Sequence, residues 1–226
     1  MKHFLVLPLT FLPLLALAGE DLADLEVGRF LDLPGETTVI NEMVTTVKAK
    51  GEARGQTFQT NERCVFRGRD DYRLVKRNLV TGATLSLSVL GRSAEIDKRN
   101  FEGELSEHGN VERIDRFDRM RDEVIVAFLE LHRRFSKYLQ LQRTKEDDLS
   151  VEYLGSRFPP PAGEGAALEV QALEARVVWS KKTGVPHLYS LKVAYRNPDG
   201  TSMELDLTTT LTSKPAPEPL TGVPPR

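Results

Sequence analysis

Few side chains in this sequence could do chemistry, and they are scattered. Beyond the first eighteen residues the histidines are His108, His132 and His187, and no pair has the spacing of metal ligands. No H-E-x-x-H, G-x-G-x-x-G or P-loop pattern occurs. Cys64 is the only cysteine, with no His or Asp partner at a recognisable spacing, so it reads as a buried strand residue rather than a reactive thiol. Gly155-Ser156 lacks the rest of the G-x-S-x-G elbow. The acid pairs Asp70-Asp71 and Asp147-Asp148 suit turns and helix ends. The carboxylate pair of a glycosidase leaves no sequence pattern, so an exported hydrolase stays open as the least favoured reading. What the sequence offers instead is an apolar lining: Leu85, Leu87, Val89, Trp179, Leu191, Val193, Tyr195, Leu205 and Leu207. Side chains of this kind line pockets for apolar guests. An ordinary core position is the competing account of each. No metal and no cofactor is called for.

These residues lie on alternating segments. Leu85, Leu87 and Val89 alternate with Ser86 and Ser88 inside a meander predicted over 52–105, punctuated by Gly68, Gly82, Gly91 and Gly103. Val177 and Trp179 precede a Lys181-Lys182-Thr183-Gly184 turn, and Leu191, Val193 and Tyr195 follow it. Asn197-Pro198-Asp199-Gly200 reverses the chain before Met203, Leu205 and Leu207. Proline presets φ, Asn and Asp bond their own backbone, and glycine takes the positive φ that closes a turn. Both meanders are apolar on one face, so each needs a cover.

Helical spacing supplies that cover. Ile40, Met43, Val44 and Val47 fall at i, i+3, i+4 and i+7, which predicts a helix capped by Thr37 or Thr38 and ended by Gly51. Residues 19–34 read as an acidic entry segment or short helix. Gly109-Asn110 ends the first meander, with Asn110 as N-cap. A stripe of Ile114, Phe117, Val124, Phe128, Leu131, Phe135 and Tyr138 then predicts a helix over 111–142, interrupted only at Arg121. Unbroken, it would be about 48 Å long, so it spans the domain or breaks near Arg121 or Asp122. The fold class expected is α+β: a curved antiparallel sheet, an unclosed half-barrel, under a helical lid that includes one long helix. His108 falls in a loop and His187 in a turn on this reading, and residues 158–165 form a Pro-rich loop.

The ends carry their own signals. Lys2 and His3 precede an apolar run to Leu17, and Ala16-Leu17-Ala18 is a small-x-small cleavage pattern. The run is too short to span a bilayer. The expectation is a signal peptide over 1–18 cut between Ala18 and Gly19, one half-barrel domain over 19–212, and a disordered Pro-rich tail over 213–226. No cysteine stands directly after the cut, which argues against a lipoprotein, and no later segment is long and apolar enough to cross a membrane. Net charge is −2 with both signs mixed along the chain, which argues against nucleic-acid binding.

The segment Val177-Val178-Trp179-Ser180-Lys181-Lys182-Thr183-Gly184-Val185-Pro186 is similar to a strand, turn and return strand of the periplasmic outer-membrane lipoprotein-carrier superfamily, the Lol carrier and its relatives. Asn197-Pro198-Asp199-Gly200 resembles the turn that follows there, and the Arg63 to Arg73 run resembles that family's strand with an arginine after an aromatic. The resemblance covers residues 36–211. It departs in the length of the predicted long helix, and in Ser180 and Lys181 where an Asp is common. It implies a helix-lidded half-barrel whose inner face shields acyl chains.

Three functions follow. The first is an exported periplasmic, non-enzymatic module, monomeric, that carries or senses a lipid or lipoprotein acyl chain, with that ligand or an envelope lipoprotein as partner. The second is a structural or interaction protein of envelope assembly with a filled core. The third is the hydrolase.

Overall fold

The computed structural model describes residues 22, 24–100, 102, 104–111, 115–158 and 168–214. Its framework is an 11-stranded antiparallel sheet of β1 (Glu36–Lys48), β2 (Gln56–Phe66), β3 (Asp71–Asn78), β4 (Thr84–Leu90), β5 (Ser93–Arg99), β6 (Leu105–Val111), β7 (Leu139–Glu146), β8 (Ser150–Arg157), β9 (Glu169–Ser180), β10 (Pro186–Arg196) and β11 (Ser202–Lys214). The order is β6-β5-β4-β3-β2-β1-β11-β10-β9-β8-β7, so the first and last strands pair in the middle and join two meanders. β6 and β7 lie at opposite edges, and the sheet stays unclosed. Helix α1 (Val27–Leu31) and helix α2 (Asp115–Phe135), followed by a 3-10 turn at Ser136–Tyr138, complete the α+β half-barrel that the alternation predicts.

The turns are made as their residues dictate. Gly184 and Gly200 take φ of 66° and 87°, the left-handed region in which a Cβ is strained. Asp147 and Asp199 each accept backbone N–H bonds two residues on, which holds both carboxyls below their ordinary range.

Five sequence expectations need correction. Ile40, Met43, Val44 and Val47 lie in β1, not in a helix; Met43 and Val47 lie on the inner face of the sheet and Ile40 and Val44 on the outer face. The β-branched run Thr37-Thr38-Val39-Ile40 loses side-chain freedom in a helix, and β1 is paired on both edges, by β2 and β11. The predicted 111–142 helix is shorter. It closes at Phe135, about 32 Å of helix for its 21 residues; residues from Leu139 form β7, where Leu139 and Leu141 pair with Arg157 and Gly155. Gly109 and Asn110 do not end the first meander but lie in β6, opposite Ile96 and Glu95, and so does His108. His187 likewise sits in β10 rather than in a turn. β11 runs through Ser213 and Lys214, past the expected start of the tail. The predicted signal segment with Ala18 and Gly19, the loop from Pro159, and residues 215–226 lie outside the described residues.

Arg121 does not break α2. It stands in register with Phe117, Val124, Ile125, Phe128, Leu129, His132 and Phe135, all buried. Arg133 and Arg134 in the last turn complement the helix dipole.

Candidate functional site

The site follows from how α2 crosses the sheet. Its first half is tied to the β2–β3 end. The buried Arg121 guanidinium donates to the carbonyl of Arg69 and to Asp122, and lies 5.0 Å over the Tyr72 ring. Tyr72 in turn donates to Asp118 at 3.1 Å. In the middle, Asn41 of β1 donates to the Val124 carbonyl at 2.7 Å and accepts from Thr209 of β11 at 2.7 Å. In its second half, His132 meets the Tyr189 hydroxyl at 3.3 Å, and Phe135 stacks against Tyr195 near the far end of β10. The helix therefore runs diagonally, from the β2–β3 turn to the β10–β11 turn.

A diagonal cover leaves a corner open, and the cross-strand rows record its edge. In one row Cys64, Leu74, Leu87 and Ile96 are all buried beneath α2. Two residues along the same strands the row is Glu62, Lys76, Leu85 and Lys98. Charged side chains stand there because no helix desolvates them. A third row runs Val193, Leu205, Thr45, Phe58 from β10 to β2. Its exposure rises from 3% and 9% at the first two to 46% at Phe58.

A cavity of about 400 Å³ opens at this corner, floored by Thr60, Ala83, Thr84 and Leu85 and bounded by Glu62, Lys76 and Lys98. That volume is in the range of small-molecule sites, roughly 300–1,000 Å³. Lys76 pairs with Glu62 at 3.1 Å, which fixes one wall. The Thr60 hydroxyl is buried with no hydrogen-bond partner among the described residues. Phe58, Met43 and Val47 extend the apolar surface along β1 and β2. Among the described residues, further cavities of about 260 to 430 Å³ open on the outer face among ladders such as Glu174, Lys192 and Asp206.

The predicted lining residues divide accordingly. Leu87, Val89, Leu191, Val193, Tyr195, Leu205 and Leu207 are buried in the core between sheet and α2. Leu85 alone of the nine floors the open cavity. Trp179, partly buried, faces inward at the opposite end of β9, opposite Pro186 and Val151. Sequence reasoning missed Phe58, Thr60 and Lys76. The signal was present for one of them: Phe58 stands between polar neighbours in Gln56-Thr57-Phe58-Gln59-Thr60, a lone aromatic on a polar strand.

The groups with strongly perturbed proton affinity sit in the covered half. Burial pushes the Cys64 thiol up to about 12, against the opposing charge of Arg121, so it stays protonated and inert. Burial, reinforced by Asp118, raises Tyr72, and burial raises Tyr189. At the open corner the recognition elements are shape, apolar surface and a few polar groups.

The class defined by this geometry is an unclosed antiparallel half-barrel crossed diagonally by one helix, with an apolar corner exposed. Solved structures similar to this chain include a DUF1329 family protein from Desulfovibrio piger, at 14% identity over 87% of this chain and 92% of that one, with a TM-score of 0.30. Another is a LolA superfamily protein from Nitrosomonas europaea, at 10% identity over 88% and 95%, with a TM-score of 0.28. One of these structures bears the family name that the turn motifs resemble; neither says what this chain binds. The sequence matches no family model and no curated protein.

Proposed function

We propose that this chain is an exported, non-enzymatic periplasmic binding module that holds an apolar ligand, a lipid or acyl chain, at the open corner beside α2. The observation that carries this reading is the 46% exposed Phe58 on the inner face, two residues along β2 from Thr60, which lines the 400 Å³ cavity over Leu85. An apolar side chain on a concave, uncovered surface gains by receiving a guest, at about 0.8 kcal/mol per buried CH2. Residues 1–18 are the signal peptide in this proposal, cut between Ala18 and Gly19 to release a monomeric domain.

The test is native mass spectrometry of protein purified from an exporting host, followed by solvent extraction and lipid analysis. The expected result is a bound lipid near one per chain, diminished in Leu85→Glu and Phe58→Glu. Both positions are partly exposed, so these variants keep the fold. An empty wild-type protein that also takes up no added fatty acid would overturn the reading.

One observation favours a second reading, an interaction protein of envelope assembly. Seven of the nine predicted lining residues are packed in the core, so α2 behaves as a structural layer rather than as a lid over an empty barrel. Under that reading the open corner receives a partner's side chains. The same spectrum distinguishes the two, since a protein partner adds a chain mass and no lipid.

A further inference from the structure

A hollow of about 430 Å³ opens on the outer face of the second meander, across the sheet from α2 and away from the open corner. Its base is apolar. Val178 points outward, alternating with the inward Val177 and Trp179, yet it is only 8% exposed and stands outside the core cluster under α2. Leu188, its cross-strand partner on β10, shares the base. The uncovered face of an antiparallel sheet is ordinarily wet and polar. A buried valine there marks a concavity.

Two irregularities of the ladder border this hollow. His187 is the extra residue where the β9–β10 register shifts between Pro186 and Leu188. Lys145 follows Thr144, the extra residue where the β7–β8 register shifts after Arg143. Bulges re-aim side chains and gather beside functional sites. Both His187 and Lys145 line the hollow.

The polar groups around the base are unevenly satisfied. The acids are occupied. Glu152 accepts from Arg176 Nε at 2.7 Å. Asp147 Oδ1 accepts from the N–H groups of Leu149 and Ser150 at 2.9 and 2.7 Å, and the Ser150 hydroxyl lies 3.2 Å from each Asp147 oxygen. The donors are not occupied. Among the described residues, neither the Lys145 ammonium nor the His187 imidazole makes a hydrogen bond or a salt bridge. The Thr210 and Thr212 hydroxyls line the β11 side. A guest that fits these groups brings acceptor oxygens and a hydrocarbon body.

We propose that this hollow is a second binding site, for a small organic carboxylate. The carboxylate accepts from Lys145 and His187 while its apolar body covers Val178 and Leu188. The volume lies within the range of small-molecule sites. This goes beyond the binding reading above and stands whether or not the open corner holds a lipid.

Titration of the isotope-labelled mature chain with sodium benzoate, followed through assigned amide resonances, tests it. The amides of Lys145, Val178, His187 and Leu188 shift along a saturable curve. The same spectra report Phe58 and Leu85, so occupancy of the open corner is scored separately. Benzyl alcohol has the ring without the charge, and inorganic phosphate has charge without the ring; each binds the hollow about threefold or more weakly than benzoate. The double variant Lys145→Met, His187→Ala weakens benzoate about fivefold or more. Both positions are exposed, so this variant keeps the fold. Lys192→Met, on the outer face of β10 beyond the hollow, binds benzoate as the parent does. Unmoved amides around the hollow, benzyl alcohol or phosphate binding there as tightly as benzoate, or an unchanged affinity in the double variant would each overturn the proposal.

Discussion

The same strands behave as two materials along their length. Under α2, β2 to β5 contribute Cys64, Leu74, Leu87 and Ile96, each with an exposure of 3% or less. Beyond the helix they contribute Glu62, Lys76, Leu85 and Lys98, and Phe58 stands open on β2. The alternation of apolar and polar residues is similar in both halves, so strand pattern alone does not say which inner face becomes core. The path of one helix decides it. The covered half is fastened by a buried arginine, an amide and an imidazole, each bonded across elements, whereas the open half keeps apolar surface in contact with water.

This contrast can be broken most forcefully in the covered half. Phe128 packs on Phe30 and Tyr189, with centroids 6.0 and 5.0 Å away. Phe128→Ala is expected to cost about 3–5 kcal/mol in urea unfolding. Phe58→Ala, the matching truncation in the open half, should stay within about 0.5 kcal/mol. Equal costs would show that the corner is packed as core.

Arg121→Ala is next. It strips the Arg69 carbonyl and Asp118 and Asp122 of their shared donor and leaves a gap over Tyr72. A loss of about 2–3 kcal/mol is expected, less than for a fully buried ion pair because both carboxylates are partly exposed. Denaturant midpoints for the parent and variant measure it.

Alkaline pH sharpens the comparison without mutation. Cys64 is raised from its ordinary 9.0 to about 12, and Tyr72 and Tyr189 are raised too. Each is held neutral in the fold and ionises more readily in the unfolded chain. Their contribution is therefore complete below pH 9 and is lost as pH rises toward 12. Melting temperature should fall over that window. Cys64→Ala, less stable overall, should show a shallower fall; an unchanged slope would remove the thiol from the account. The smallest effect belongs to the surface: Asp147→Asn, in the β7–β8 turn, should leave the denaturant midpoint essentially unchanged.

Much of this architecture is legible in the sequence. The 175–211 meander, its two turns and the stripe of α2 follow from alternation, glycine and spacing. The helix wrongly expected from Ile40 to Val47 follows from a coincidence of spacing, since four apolar residues on two faces of a strand can mimic one helical face. The site was half legible for a related reason. Leu85 and Leu87 are alike in sequence and differ only in whether α2 passes above them, and that path depends on Arg121 reaching Arg69 and on Asn41 reaching Val124. Those partners are 52 and 83 residues apart, and no local pattern announces them. Arg121 itself looks like an interruption in the stripe until its partners are seen.

The most direct test places a reporter in each region. Phe58→Trp is built in a Trp179→Phe background, and both this protein and the parent with Trp179 are titrated with a brominated fatty acid, a contact quencher. The account predicts strong quenching of the indole at position 58 and little of Trp179, because the guest enters the corner that α2 leaves open. Quenching of Trp179 with the position-58 indole untouched would contradict it, and would place the guest at the opposite end of the sheet.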